Sequence, residues 1–261
     1  ICLPAIALRV TPMARQRFLA NAPITEALID LHVAPRDGLS YEGLSPALDA
    51  SGFGYYVKGP ITLGTFQMRL PGDGTDAEAS GESRRIGLRM HSTDERYVAQ
   101  LRVEGFTLSR LPPYEDWEHL VAETRRVWDV YVQRLQPKRV TRIATRYINN
   151  LRLPLERGAS FQRYLNKLVE VPDEAPQAVA AFLQRFQLVD TATRARANLT
   201  LALNEYQPDV PAPVILDIDA FASADLDPGD PEIWQRLDQL RELKNRCFFG
   251  TITEQAAELY E

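Results

Sequence analysis

The run VILDIDAF, Val214 to Phe221, sets two carboxylates one residue apart inside apolar sequence. D-x-D is a spacing that divalent-metal sites use. A metal on Asp217 and Asp219, with Arg146 holding phosphate, is the arrangement of a metal-dependent phosphoesterase or nuclease. Two carboxylates are too few ligands, however, and His32, His91 and His119 each stand alone in the sequence. The competing chemistry is electrostatic. In a strand both aspartates project to one side, where arginines of facing strands pair with them. This second reading is favoured, with no metal and no catalytic residue assigned.

The arginines fit that reading because they recur on the polar side of alternating segments. In 85–91, Ile86, Leu88 and Met90 oppose Arg85, Arg89 and His91. In 97–110, Ala99 and Leu101 oppose Gln100 and Arg102. In 139–152, Ile143, Tyr147 and Leu151 oppose Arg142, Arg146 and Arg152; in 194–205, Leu199, Leu201 and Leu203 oppose Arg194, Arg196 and Asn198. Arginine, with its planar fork of donors, is the residue for bidentate contact with carboxylate or phosphate. Arg89, Arg102, Arg142, Arg146, Arg194 and Arg196 are therefore the candidate ligand-binding residues. Their expected partner is an anionic ligand: a nucleotide, a nucleic-acid strand or an acidic protein segment. Tyr55, Tyr56 and Phe106 lie on or near these strands, where rings stack on bases. The plainer alternative is a solvated sheet face, which antiparallel sheets commonly have. Glu26 and Asp30 share one side of their segment and suit acid–base chemistry or, by preference, salt bridges to the same arginines.

Other chemistry is not encoded in recognisable form. There is no G-x-S-x-G, Walker loop, G-x-G-x-x-G after a strand, or H-E-x-x-H, so no cofactor is expected. Cys2 and Cys247 lack metal or disulfide spacing, which fits a reducing cytoplasm. The net charge of -5 and pI near 5.4 argue against bulk attraction to nucleic acid or anionic membrane, though a local basic patch can survive an acidic total. No apolar run reaches the roughly 20 residues of a membrane span. The acidic groups of PGDGTDAEASGES, 71–83, miss EF-hand spacing, so that segment reads as a mobile hairpin loop.

The elements that must position these residues follow from periodicity. Strands are expected at 24–33, 53–70, 84–91 and 96–110, with a short helix at 41–48. A long amphipathic helix fits 114–136, where Trp117, Leu120, Val127, Trp128 and Tyr131 recur at three-and-four spacing. The chain then offers a strand at 138–154, helices at 160–169 and 175–186, and strands at 187–193, 195–206 and 213–221. A final long helix starts after Asp230, and Thr253 caps a short one. Read this way, each half is strand, short helix, three strands, long helix. The expected fold is α+β, with two similar halves, each an antiparallel sheet backed by a long amphipathic helix. The expected divisions are an N-terminal extension over 1–20 that packs poorly, a first half over 21–136 and a second half over 137–261. Met13 opens a natural start, so residues 1–12 read as upstream sequence.

The motifs NAPITEA (21–27), PYEDW (113–117), RYIN (146–149), LDID (216–219) and FFGTIT (248–253) resemble a sporadically distributed family of bacterial proteins with no assigned activity. That resemblance implies a soluble bacterial protein and carries no site residue. The function expected from the residues is a non-enzymatic binding or regulatory protein that uses an arginine-lined sheet face. The alternatives are the metal-dependent phosphoesterase above and a structural or assembly subunit.

Overall fold

Alternating burial along the strands shows how the sequence builds the sheet. In β1 (Ile24–Ala34), Ala27, Ile29, Leu31 and Val33 are buried, while Glu26, Leu28 and Asp30 between them are only partly covered. The computed structural model describes residues 13–47, 53–69, 78–155, 160–166, 171–172, 174–176, 179–204 and 210–261. After β1 come α1 (Tyr41–Ala47), β2 (Tyr55–Arg69), β3 (Glu78–Ser92), β4 (Tyr97–Arg102), β5 (Gly105–Arg110) and α2 (Trp117–Leu135). The chain continues through β6 (Arg139–Leu153), β7 (Phe182–Val189), β8 (Arg196–Leu203), β9 (Ala212–Leu226), α3 (Glu232–Thr251) and α4 (Glu254–Ala257).

The strands form one nine-stranded antiparallel sheet in the order β2-β3-β4-β5-β1-β6-β9-β8-β7. This overturns the expected pair of sheet-and-helix halves. The two strands that would have opened separate sheets, β1 and β6, are neighbours; hydrogen bonding continues across them instead of ending at two more edges. The element strings also differ. The first half has four strands after its helix, because 96–110 folds back at Val103 and Glu104 to give β4 and β5. The expected cradle between twin halves falls with the duplication.

Two compact units divide the chain, and neither is a continuous stretch: 28–144 with 223–235, and 1–27 with 145–222 and 236–261. In the first, α2 starts at Asp116, whose carboxylate accepts from the His119 backbone N–H at 2.8 Å. Its apolar stripe buries Trp117, Leu120, Val127, Trp128, Tyr131 and Leu135. Phe106 of β5 meets Trp128 and Tyr131 edge-on at 5.5 and 5.8 Å. Burying these rings holds the helix on the sheet and leaves the other face of β1, β4 and β5 to polar side chains.

In the second unit, Leu199, Leu201 and Leu203 of β8 and Val214, Leu216 and Ile218 of β9 pack with Phe248, Phe249 and Ile252. Thr253 caps α4, accepting from Ala256. The helix expected at 175–186 gives way to β7 from Phe182, because pairing with β8 decides a short apolar run whose periodicity fits either state. Of the helix expected at 160–169, the described residues 160–166 form a single turn at Phe161–Arg163. Residues 1–12 lie outside the described residues, as do 71–77 of the expected loop 71–83, whose end from Glu78 belongs to β3. The rest of the extension packs: Ala14 and Leu19 are buried, and Arg17 pairs with Glu254 and Glu261. Among the described residues, no helix is long and apolar enough to cross a membrane.

Candidate functional site

Asp30 is the centre of the polar face in the first unit. Its Oδ1 accepts from Arg102 Nη2 at 2.7 Å and from Thr107 Oγ1 at 2.6 Å; its Oδ2 accepts from Arg142 Nη1 at 2.9 Å and lies 3.0 Å from His32 Nε2. Burial opposes the charge, yet the His32, Thr107 and Arg102 contacts outweigh it and hold the carboxyl well below the usual carboxylate range. Two guanidinium groups thus converge on one anion. Side-chain exposure is 13% for Asp30, 21% for Arg102 and 27% for Arg142, so the cluster is screened from bulk water but open to a ligand.

The backbone makes room for Arg102. Opposite it stand Gly87 on β3 and Gly105 on β5. A Cβ at Gly87 would come within 2.6 Å of the Leu101 carbonyl oxygen and 2.9 Å of Arg102 Cγ, and one at Gly105 within 3.0 Å of Arg102 Nη2. Arg102 therefore lies across two glycines. From the other side of the sheet, the buried Tyr131 hydroxyl donates to the Arg102 carbonyl at 2.8 Å. The α2 core and the polar site meet at this one residue.

The second unit holds a different arrangement. Arg146 donates to both oxygens of Asp217, Nε to Oδ1 at 2.8 Å and Nη2 to Oδ2 at 2.5 Å. Asp219 accepts from Asn198 Nδ2 at 3.2 Å. The Asp217 hydrogen bond, reinforced by the charges of Asp217, Asp219 and Glu26, raises the Arg146 pKa. Asp217 thus grips the guanidinium directly, and the charges of Asp219 and Glu26 act on it as well. Each oxygen of Asp217 accepts from Arg146, and among the described residues no three His, Cys, Asp or Glu are grouped to hold a metal.

Of the six arginines singled out in the sequence, Arg102 and Arg142 share a partner, Asp30. Arg89 is exposed and stands opposite Gln100. Arg194 is an exposed turn residue with φ of 61°, and Arg196, also exposed, opens β8 opposite Phe221. The aromatic residues considered for stacking are placed elsewhere. Phe106 and Tyr55 are buried, with the Tyr55 hydroxyl donating to Glu123 at 2.8 Å, and the Tyr56 hydroxyl bonds Glu95. His91 Nδ1 lies 2.7 Å from Glu95; burial, with the charges of Lys58 and Arg89, lowers its pKa.

Sequence reasoning placed Asp30 among the arginines but missed Thr107, the two glycines and Tyr131. The glycines were the available signal, since glycine inside a strand marks close approach. It also missed Lys244 of α3, whose ammonium sits 3.9 Å from the Tyr147 ring centre, with its pKa pushed down to about 7 by burial. Cys247 is half-buried, which raises its thiol pKa and leaves it a poor nucleophile. No known protein family matches the chain, and no curated protein matches it.

Proposed function

We propose that this is a binding protein that captures an anionic group on the open sheet face beside Asp30, with Arg102 and Arg142 as its cationic contacts. The observation that carries the reading is convergence: the guanidinium groups of Arg102 and Arg142, brought from β4 and β6, meet at the carboxylate of Asp30 in a partly desolvated setting. Asp30 pre-orients both arginines, so less side-chain freedom is lost when a ligand arrives. Carboxylate and phosphate fit this geometry best, which makes a phosphorylated molecule, a nucleic-acid strand or an acidic protein segment the class of partner.

Arg146 is given a structural role. Its charge is satisfied by Asp217 and outweighed by Asp219 and Glu26.

Fluorescence anisotropy with a labelled oligothymidylate and a labelled polyglutamate peptide tests the proposal. Wild-type protein should bind at least one probe, lose affinity as salt rises, and lose roughly tenfold or more in Arg142→Gln, a charged hydrogen bond being worth about 1.5–3 kcal/mol. Equal binding by the two proteins, or none by either, overturns it.

A further inference from the structure

We infer that β7 is a self-association edge, on which a second copy of this chain adds its own β7 antiparallel to extend the sheet. The sheet order ends at β2 and at β7. These two edges are built differently.

β2 carries Lys58 and Pro60, and its pairing with β3 slips between Val57 and Gly59 and again between Ile61 and Thr62. A proline, a charge and irregular register are the devices that stop an edge from acting as a template. β7, FLQRFQLV, has no proline and no slip in register, and its one charge, Arg185, stands among exposed apolar residues. It contains no proline or glycine, and its eight residues pair with β8 without a break from Phe182↔Leu203 to Val189↔Arg196. Six of the eight are exposed. Leu183 is 76% exposed and Val189 59%, with Phe186 and Leu188 exposed as well. A regular edge with apolar side chains on both faces is the sheet feature most prone to pair with another strand.

The sequence of β7 selects the occupant, because it is complementary to itself. A twofold axis normal to the sheet keeps each residue on its own face, so residues of like parity meet. Two registers pair seven residues. One centres on Arg185, sets arginine against arginine and places Leu183 opposite Gln187. The other centres on Phe186. It stacks Phe186 on the second copy's Phe186, sets Leu183 opposite Val189 twice, and sets Arg185 opposite the Gln187 amide. In this register no like charges meet and each exposed apolar residue of the outer face gains an apolar partner. On the other face, Phe186 and Leu188 sit beside the buried Leu199 and Ala197 of β8, so the second copy's rings prolong an existing core layer.

The test is sedimentation velocity of the full chain across about 1 µM to 1 mM, the range expected for a small interface. Wild type should shift from monomer to dimer. Phe186→Lys and Leu183→Lys, both at exposed positions, should remain monomeric with unchanged circular dichroism. Cysteine cross-linking reads the register: Phe186→Cys should form an intermolecular disulfide, while Leu183→Cys should not unless Val189→Cys accompanies it. A wild-type monomer throughout, a dimer untouched by both lysine variants, or cross-linking at Arg185→Cys in place of Phe186→Cys would overturn the inference. Protection from exchange, in a monomer, of the β7 amides that point away from β8 would identify another segment of the same chain as occupant, and would equally overturn it.

Discussion

Arg146 grips Asp217 with two parallel hydrogen bonds, so the aspartate that most invites a metal reading is already occupied by a cation. The pair is half-exposed on the arginine side, which limits its worth. A double-mutant cycle with Arg146→Met and Asp217→Asn should give a coupling of roughly 1 kcal/mol in urea unfolding. Magnesium or manganese should leave thermal unfolding unchanged, whereas a folded-state ligand at 100 times its Kd would add about 2.7 kcal/mol. A metal-dependent rise abolished by Asp219→Asn would contradict the assignment.

The glycines that flank Arg102 yield a second prediction. In Gly87→Ala the new Cβ meets the Leu101 carbonyl oxygen and Arg102 itself, so β3 and β4 must separate locally. A loss of roughly 1–3 kcal/mol is expected from such overpacking, together with weakened anion binding. Gly59→Ala, where a Cβ meets nothing within 4 Å, is the control and should cost far less. Equal effects of the two would show that the slot does not position Arg102.

Much of this arrangement was legible in the sequence, and the parts that were not share a cause. Alternation alone assigns Arg142, Arg146, Asp217 and Asp219 to the polar side, since one-residue periodicity is local. Which arginine meets which aspartate depends on strand order, and β1 beside β6 is a contact between residues over 100 positions apart. Local patterning carries no such information. The same gap explains the false duplication: neither the fold-back at Val103 and Glu104 that makes two strands of 96–110 nor the continuous sheet joining β1 to β6 is written in local periodicity. At β7, the helix-like spacing of AAFLQRF was overridden by eight pairings with β8.

Asp30 makes stability depend on acid pH. Its folded-state pKa lies below the unfolded value of about 3.9, so its contribution is fully present above that pH and is lost as pH falls toward the folded pKa. Asp30→Asn should cost roughly 2–4 kcal/mol at pH 7, because Arg102 and Arg142 would both lose the charged partner they share. It should also flatten the fall in stability below pH 4. An unchanged acid limb would mean that Asp30 is not held as an anion.

Lys244 acts with the opposite slope. Its pKa, displaced from 10.5 to about 7 by burial, means that the unfolded chain binds more protons between those values. Stability should therefore rise from pH 7 toward pH 10 through this group. Lys244→Met should add on the order of 1–3 kcal/mol at neutral pH and remove that rise, one pKa unit being worth about 1.4 kcal/mol. Destabilisation by Lys244→Met, with the alkaline rise intact, would contradict the assignment.

The proposed binding role requires that anions be taken by Arg102 and Arg142 and not by Arg146. The most direct measurement is a titration with inorganic pyrophosphate followed by the Nε–Hε resonances of assigned arginines in wild-type protein. Saturable shifts should appear at Arg102 and Arg142, while the Arg146 signal, fixed on Asp217, stays in place. Shifts confined to Arg146 or Arg196, or none at any arginine up to millimolar pyrophosphate, would contradict the account.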